Sequence, residues 1–192
     1  VDFIPFPAAF EGDAAVEAKE EESLAAFRRL AEAGDVAALI VEPLIQGAAG
    51  MRMCRPEYLR RLVDEARRAG GLVLFDEVMT GFGRTGRLFA CQTAGTAPDV
   101  ICLSKGLTGG FLPMAVTACR EEIHEAFLGE TFATALAHGH SYTANPLGCA
   151  AALASLELFA TEDYPARAAM IEAVHRDGLR ELAGLSLLVK FA

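Results

Sequence analysis

Residues 72–110 constrain the fold more than any other stretch, because they hold two short apolar runs that each end abruptly in polar chemistry. Leu72-Val73-Leu74-Phe75 stops at Asp76-Glu77, and Val100-Ile101-Cys102-Leu103 stops at Ser104-Lys105 and a glycine-rich bend. Continuous apolar runs of this length, bounded by turn signals, fit strands buried on both faces of a parallel sheet. Ligands of such sheets lie beyond the carboxyl ends of the strands. An acid at one strand end and a lysine at the other are therefore expected to face one crevice.

The flanking sequence alternates in the same manner. Over residues 23–33, Leu24, Phe27, Leu30 and Ala31 recur at helical spacing, with Gly34 as C-cap and Glu20, Glu21 and Glu22 before or in the first turn, where they suit the helix dipole. Residues 37–41 form another buried-strand candidate that ends at Glu42-Pro43. Pro56 fits the first position of a helix reaching about residue 69, closed by Gly70-Gly71. A further strand is expected over residues 114–118, then a short helix over 121–127. Residues 129–145 carry Gly, Thr, Ser, His and Asn without hydrophobic periodicity and read as a functional loop. Pro146 opens a helix to about residue 160, and another runs from about 165 to 182. The pattern specifies an α/β fold with a doubly wound, mostly parallel sheet, the last helices leaving it.

Composition narrows the class of partner. A chain of 192 residues with 53% hydrophobic content can build a proper core. A net charge of -9 argues against a nucleic-acid surface, and no apolar run approaches the roughly 20 residues needed to span a bilayer. The five cysteines are scattered, odd in number and without a C-x-x-C pair. They read as small hydrophobes in a reducing cytosol, with no zinc site and no disulfide framework. The chain opens on Val1 in strand-like composition and closes on Ala192 without a stop signal, so it is expected to be an internal piece of a longer polypeptide.

Gly81-Phe82-Gly83-Arg84-Thr85-Gly86 is a literal G-x-G-x-x-G after a strand, the fingerprint of a dinucleotide site. Three features oppose that reading. Residues intervene between the strand end at Asp76-Glu77 and Gly81, so the turn is not tight. Gly95 and Pro98 arrive too soon for a full crossover helix. Asp99 opens its strand, whereas a ribose-binding acid closes one. A glycine-rich loop shaping the site is the better expectation.

Lys105 lies between an apolar run and Gly106-Leu107-Thr108-Gly109-Gly110, where close backbone approach favours an enclosed amine over a solvated one. A desolvated lysine loses its charge readily and can form a Schiff base. Asp76 is either an ordinary strand-end cap or a carboxylate facing a pyridine nitrogen, which it would keep protonated. Ser141 is a turn hydroxyl or, with neighbouring amides, part of a phosphate cradle. His138 and His140, with no third ligand, make a poor metal site, and no metal is expected.

Several strings together resemble the class III, fold type I, pyridoxal-phosphate aminotransferases. They are Val41-Glu42-Pro43 with Gln46-Gly47, Phe75-Asp76-Glu77-Val78 with residues 80–86, Ala97-Pro98-Asp99, Ser104-Lys105-Gly106, and His138-Gly139 through Asn145-Pro146-Leu147. The resemblance covers residues 41 to about 160, in family order. It implies pyridoxal 5'-phosphate as cofactor, Lys105 as the catalytic Schiff-base lysine, and Asp76 as partner of the ring nitrogen. It implies that His140, by its backbone, and Ser141 hold the cofactor phosphate from the partner subunit of a homodimer. Gly139 then approaches the substrate, as does Lys105, and Glu42 orients the cofactor acid from behind. Family loops usually carry glycine where this chain has Ala144. Within the class, residues 89–91, 102–110 and 138–142 most resemble members that move an amino group from S-adenosylmethionine to 8-amino-7-oxononanoate, giving 7,8-diaminononanoate for biotin. A class III enzyme acting on an ω-amino acid or diamine is the competing reading. The resemblance also implies that residues 1–160 are part of the cofactor-binding large domain and that 161–192 begin a C-terminal small domain. The family's N-terminal phosphate contact and C-terminal carboxylate-binding arginine fall outside the chain, which is expected to turn over poorly alone.

Overall fold

The structure, a computed structural model, describes residues 1–34 and 36–183. The end of the small-domain segment expected over 161–192 thus lies outside the described residues. Within them the strands are β1 (Ala38–Val41), β2 (Ile45–Gln46), β3 (Arg52–Met53), β4 (Leu72–Asp76), β5 (Val100–Leu103) and β6 (Val116–Cys119). The helices are α1 (Val16–Ala33), α2 (Pro56–Arg68), α3 (Ala90–Ala94), α4 (Glu121–Glu125), α5 (Pro146–Thr161) and α6 (Tyr164–Ala183). None of them is long and apolar enough to cross a membrane.

The main sheet has the order β1-β4-β5-β6. β1, β4 and β5 are parallel, with Val41 opposite Phe75 and Asp76 opposite Cys102. β6 runs antiparallel to β5, pairing Leu103 with Val116. The α/β class and the mostly parallel sheet follow the alternation in the sequence. β2 and β3 form a separate antiparallel pair.

Within this chain alone the strands are buried on one face, where their apolar runs suggest two. Val73, Phe75 and Glu77 are fully buried, whereas Leu72 is 43% and Ile40 65% exposed. Side chains alternate between faces along a strand. The layer of α1, α2 and α3 covers the first set only, packing Leu24, Phe27, Leu59, Leu62, Val63 and Ala66 against Leu39, Val73 and Phe75. α2 is built for this role. Pro56 stands in its first turn with Glu57, Arg67 and Arg68 close it, and its buried residues fall on one stripe.

α1 starts a full turn or more earlier than its apolar spacing indicates. Glu17 occupies the first turn, and the glutamates that follow divide by environment. Glu20 is buried, gripped by Arg55 through Nε to Oε1 at 2.7 Å and Nη2 to Oε2 at 2.8 Å. A buried carboxylate requires such pairing. Glu21 faces outward and accepts from Arg28 and Arg61. Gly34 does follow the helix, but with φ near −178°, an extended conformation open to any residue rather than the left-handed cap its identity suggests.

Candidate active site

Asp76 and Lys105 leave neighbouring parallel strands at the same edge of the sheet, because Asp76 pairs with Cys102 and the lysine follows two residues after β5 closes at Leu103. Asp76 is half-buried, and its Oδ1 accepts from the amide of Val78 at 3.0 Å. Its Oδ2 has no hydrogen bond among the described residues. Lys105 is exposed rather than enclosed. β5 ends before it and a 3-10 turn, Lys105–Thr108, begins with it, so its side chain departs from the turn rather than from the buried strand. The turn itself is well anchored. The hydroxyl of Ser104 donates to Met114 O at 2.7 Å, that of Thr108 to Leu112 O at 2.6 Å, and that of Ser155, on α5, to Gly106 O at 3.3 Å.

The glycine motif forms a loop between β4 and α3, and its geometry excludes a dinucleotide fingerprint. Thr85 and Arg87 form an isolated antiparallel bridge, the amide of Gly83 donates to Leu88 O, and the following helix, Ala90–Ala94, has five residues. Asp99 sits at the opening of β5, where its Oδ2 accepts from Val73 N at 2.8 Å and its Oδ1 from Arg120 Nη1 at 3.0 Å. It lies at the opposite end of the strand from Lys105.

Glu77, unassigned in the sequence, organises this loop. Its side chain is fully buried. Oε2 accepts from Ala90 N at 2.7 Å and Thr80 Oγ1 at 3.3 Å, and Oε1 accepts from Cys91 N at 2.9 Å. Free amides at a helix start suit a negative charge. Burial and then the charge of Glu77 push the Cys91 thiol up to about 12. The signal was present in the alternation. After Val73 and Phe75, the next inward position is Glu77, so of the acidic pair Asp76 lies on the opposite face.

Phe82 has φ near +62° and presses against the residue after the lysine: a Cβ on Gly106 would lie 2.5 Å from Phe82 Cβ and 2.8 Å from its ring. At the end of β1, Glu42 Oε2 accepts from Gly47 N at 2.9 Å. A Cβ on Gly47 would meet Met79 Sδ, so a side chain there would require Met79 to shift. No hydrogen bond joins Glu42 to Asp76 among the described residues, so its recorded role is to hold the β1 loop.

Gly139, His140 and Ser141 are exposed, and their described contacts are local. The amide of His140 donates to Thr143 Oγ1 at 2.9 Å, and that of Tyr142 to His140 Nδ1 at 3.1 Å. The structure does not bring them to Asp76 or Lys105 within this chain. The loop ends on Asn145, whose Oδ1 accepts from Gly148 N at 2.7 Å and caps α5. Ala144 before it has φ near +53°, the left-handed region that favours glycine.

Asp76, half-buried, and Lys105, whose amine has no hydrogen bond or ion pair among the described residues, thus stand at the same end of neighbouring strands. The model of the family described as aminotransferase class-III matches residues 1–190. The adenosylmethionine-8-amino-7-oxononanoate aminotransferase of Synechococcus elongatus is 55% identical over 183 residues, which are 95% of this chain and 43% of that protein. The crystal structure of the enzyme so named from Methanocaldococcus jannaschii superposes with a TM-score of 0.78 at 38% identity, covering 86% of this chain and 39% of that one. A Bacillus anthracis aminotransferase superposes with a TM-score of 0.85 at 30% identity, covering 97% and 42% respectively. The chain therefore spans less than half the length of these relatives, and over that span it belongs to the class III aminotransferase family.

Proposed function

We propose that this chain is part of a pyridoxal 5'-phosphate-dependent aminotransferase that takes the amino group of S-adenosylmethionine and delivers it to 8-amino-7-oxononanoate, giving 7,8-diaminononanoate. The observation that carries the reaction class is the delivery of Asp76 and Lys105 to one sheet edge by the pairing of Asp76 with Cys102. The choice of substrates rests on the 55% identical relative. Residues 1–160 are read as part of the cofactor-binding large domain and 161–192 as the start of the small one, in a cytoplasmic homodimer.

When bound, the cofactor supplies a ring that withdraws electrons from the carbon bearing the donor's amine. Asp76 keeps the ring nitrogen protonated through its negative charge. Lys105 Nζ would hold the cofactor and would move the proton at the amine-bearing carbon of the donor, acting as base and then acid. The turn it opens is anchored by Ser104, Thr108 and Ser155, so its backbone is held while the side chain moves. The amide of His140, which in this chain donates to Thr143 Oγ1, and the hydroxyl of Ser141 would bind the phosphate across the dimer interface. Gly139 leaves space for the substrate, and Glu42 supports the site from the β1 loop.

The test is an amino-donor comparison on the full-length polypeptide carrying this chain. Consumption of S-adenosylmethionine in step with diamine production is expected. A clear preference for simple ω-amines would replace the substrate assignment with an ω-amino acid or diamine aminotransferase.

A further inference from the structure

We propose that Glu77 is a positioning residue that sets Asp76 and Lys105 relative to one another through the loop ending at α3; the inference rests on the aminotransferase reading above. Glu77 is the residue after Asp76, and its backbone amide donates to Cys102 O at 2.9 Å, tying the exit of β4 to β5. Its carbonyl accepts from Gly81 N at 3.0 Å, and a Cβ on Gly81 would lie 2.9 Å from that oxygen. Its carboxylate, at 0% exposure, holds Thr80, Ala90 and Cys91. One buried residue therefore fixes both ends of residues 77–91. Between those ends Phe82 is driven onto Gly106, immediately after Lys105. The ring of Phe82 is backed by Phe89 at 5.7 Å and Phe159 at 5.8 Å between centroids, so it cannot retreat easily. A chain of rigid contacts thus runs from the acid's neighbour to the lysine's neighbour.

The charge is essential to this arrangement. Glu77 accepts from every one of its recorded side-chain partners, and an amide in its place would turn a donor toward Ala90 or Cys91. Gly106 supplies an independent handle, because Gly106→Ala displaces Phe82 without touching the carboxylate.

The experiment uses the full-length polypeptide loaded with pyridoxal phosphate, in wild-type form and as Glu77→Gln, Thr80→Val, Gly106→Ala and the Glu77→Gln/Gly106→Ala double variant. Folding is followed by circular dichroism, cofactor affinity by absorbance titration, and the surroundings of Lys105 by the pH midpoint of the visible cofactor band. Glu77→Gln and Gly106→Ala are each expected to weaken cofactor binding at least tenfold and to move the midpoint in the same direction. The double variant should do little more than the larger single change, since coupled sites are not additive. Thr80→Val, which removes one hydrogen bond, should give a smaller midpoint shift of the same sign. It carries the test if Glu77→Gln does not fold. A folded Glu77→Gln with wild-type affinity and midpoint overturns the role of Glu77. So does an unmoved midpoint in Thr80→Val where Glu77→Gln fails to fold, or fully additive shifts in the double variant. A wild-type protein that shows no cofactor band is a different result, removing the aminotransferase reading itself and the inference with it.

Discussion

Asp76 stands directly opposite Cys102 in the parallel pairing of β4 and β5, and this register brings an acid and a lysine to one edge of the sheet. Neither residue is placed by a flexible loop: Asp76 closes β4, and Lys105 opens a turn pinned by Ser104, Thr108 and Ser155.

Lys105→Ala in the full-length protein is expected to abolish the covalent cofactor band and to lower turnover by at least about 10²-fold, the lower range for losing a positioned acid–base group. Asp76→Asn retains the acceptor for Val78 but loses the charge, so it should lower turnover while leaving the band present. Absorbance spectra and single-turnover rates separate the two.

Ala144 adopts φ near +53°. An L-residue there costs roughly 1–2 kcal/mol, part of which glycine returns as lost backbone entropy. Ala144→Gly should therefore stabilise by up to about 1 kcal/mol, whereas Ala144→Val should destabilise. Urea denaturation midpoints of the two variants provide the check.

Burial works to raise the carboxyl of Asp99, but the Val73 amide, Arg120 and Arg67 outweigh it and hold the group below its ordinary value. The folded chain thus binds this proton less readily than the unfolded one. The associated stability is complete above the unfolded carboxyl's titration at about pH 4, and it disappears as pH falls through the lower folded value. Asp99→Asn should cost about 1–3 kcal/mol at neutral pH and flatten the loss of stability between neutral and strongly acidic solution, as measured by denaturant unfolding at each pH.

Burial raises Cys54 and Cys91 to about 12, so both remain protonated and unreactive in mildly alkaline buffer. Cys119 is exposed. A limiting amount of iodoacetamide at about pH 8 should modify Cys119 well before Cys54 or Cys91, and peptide mass spectrometry reads the order.

Much of this architecture was legible because the chain is heavily punctuated. Pro56 and Pro146 mark helix starts within the first turn. Gly70-Gly71 separate α2 from β4, and the apolar runs before Asp76 and Ser104 give β4 and β5. The start of α1 was not legible, since Val16 follows Ala15 with no side-chain cap. Nor was the direction of β6, because Val116–Cys119 carries the composition of any short strand, and its orientation depends on its partner. In the site, the residue types at Asp76 and Lys105 were readable, but the exposure of Lys105 depends on where β5 stops. Glu77 was hidden by adjacency. Two acids in a row read as one polar strand end until alternation assigns them to opposite faces.

The meeting of Phe82 and Gly106 makes two distant codons behave as one inherited unit. A methyl group at position 106 would meet the Cβ of Phe82 at 2.5 Å as well as its ring, so only glycine at 82 clears the way for it without a backbone shift. Drift at either position should therefore be purged unless the other moves with it. Lineages that abandon the glycine at 106 are expected to carry one at 82 instead, where φ near +62° already suits it.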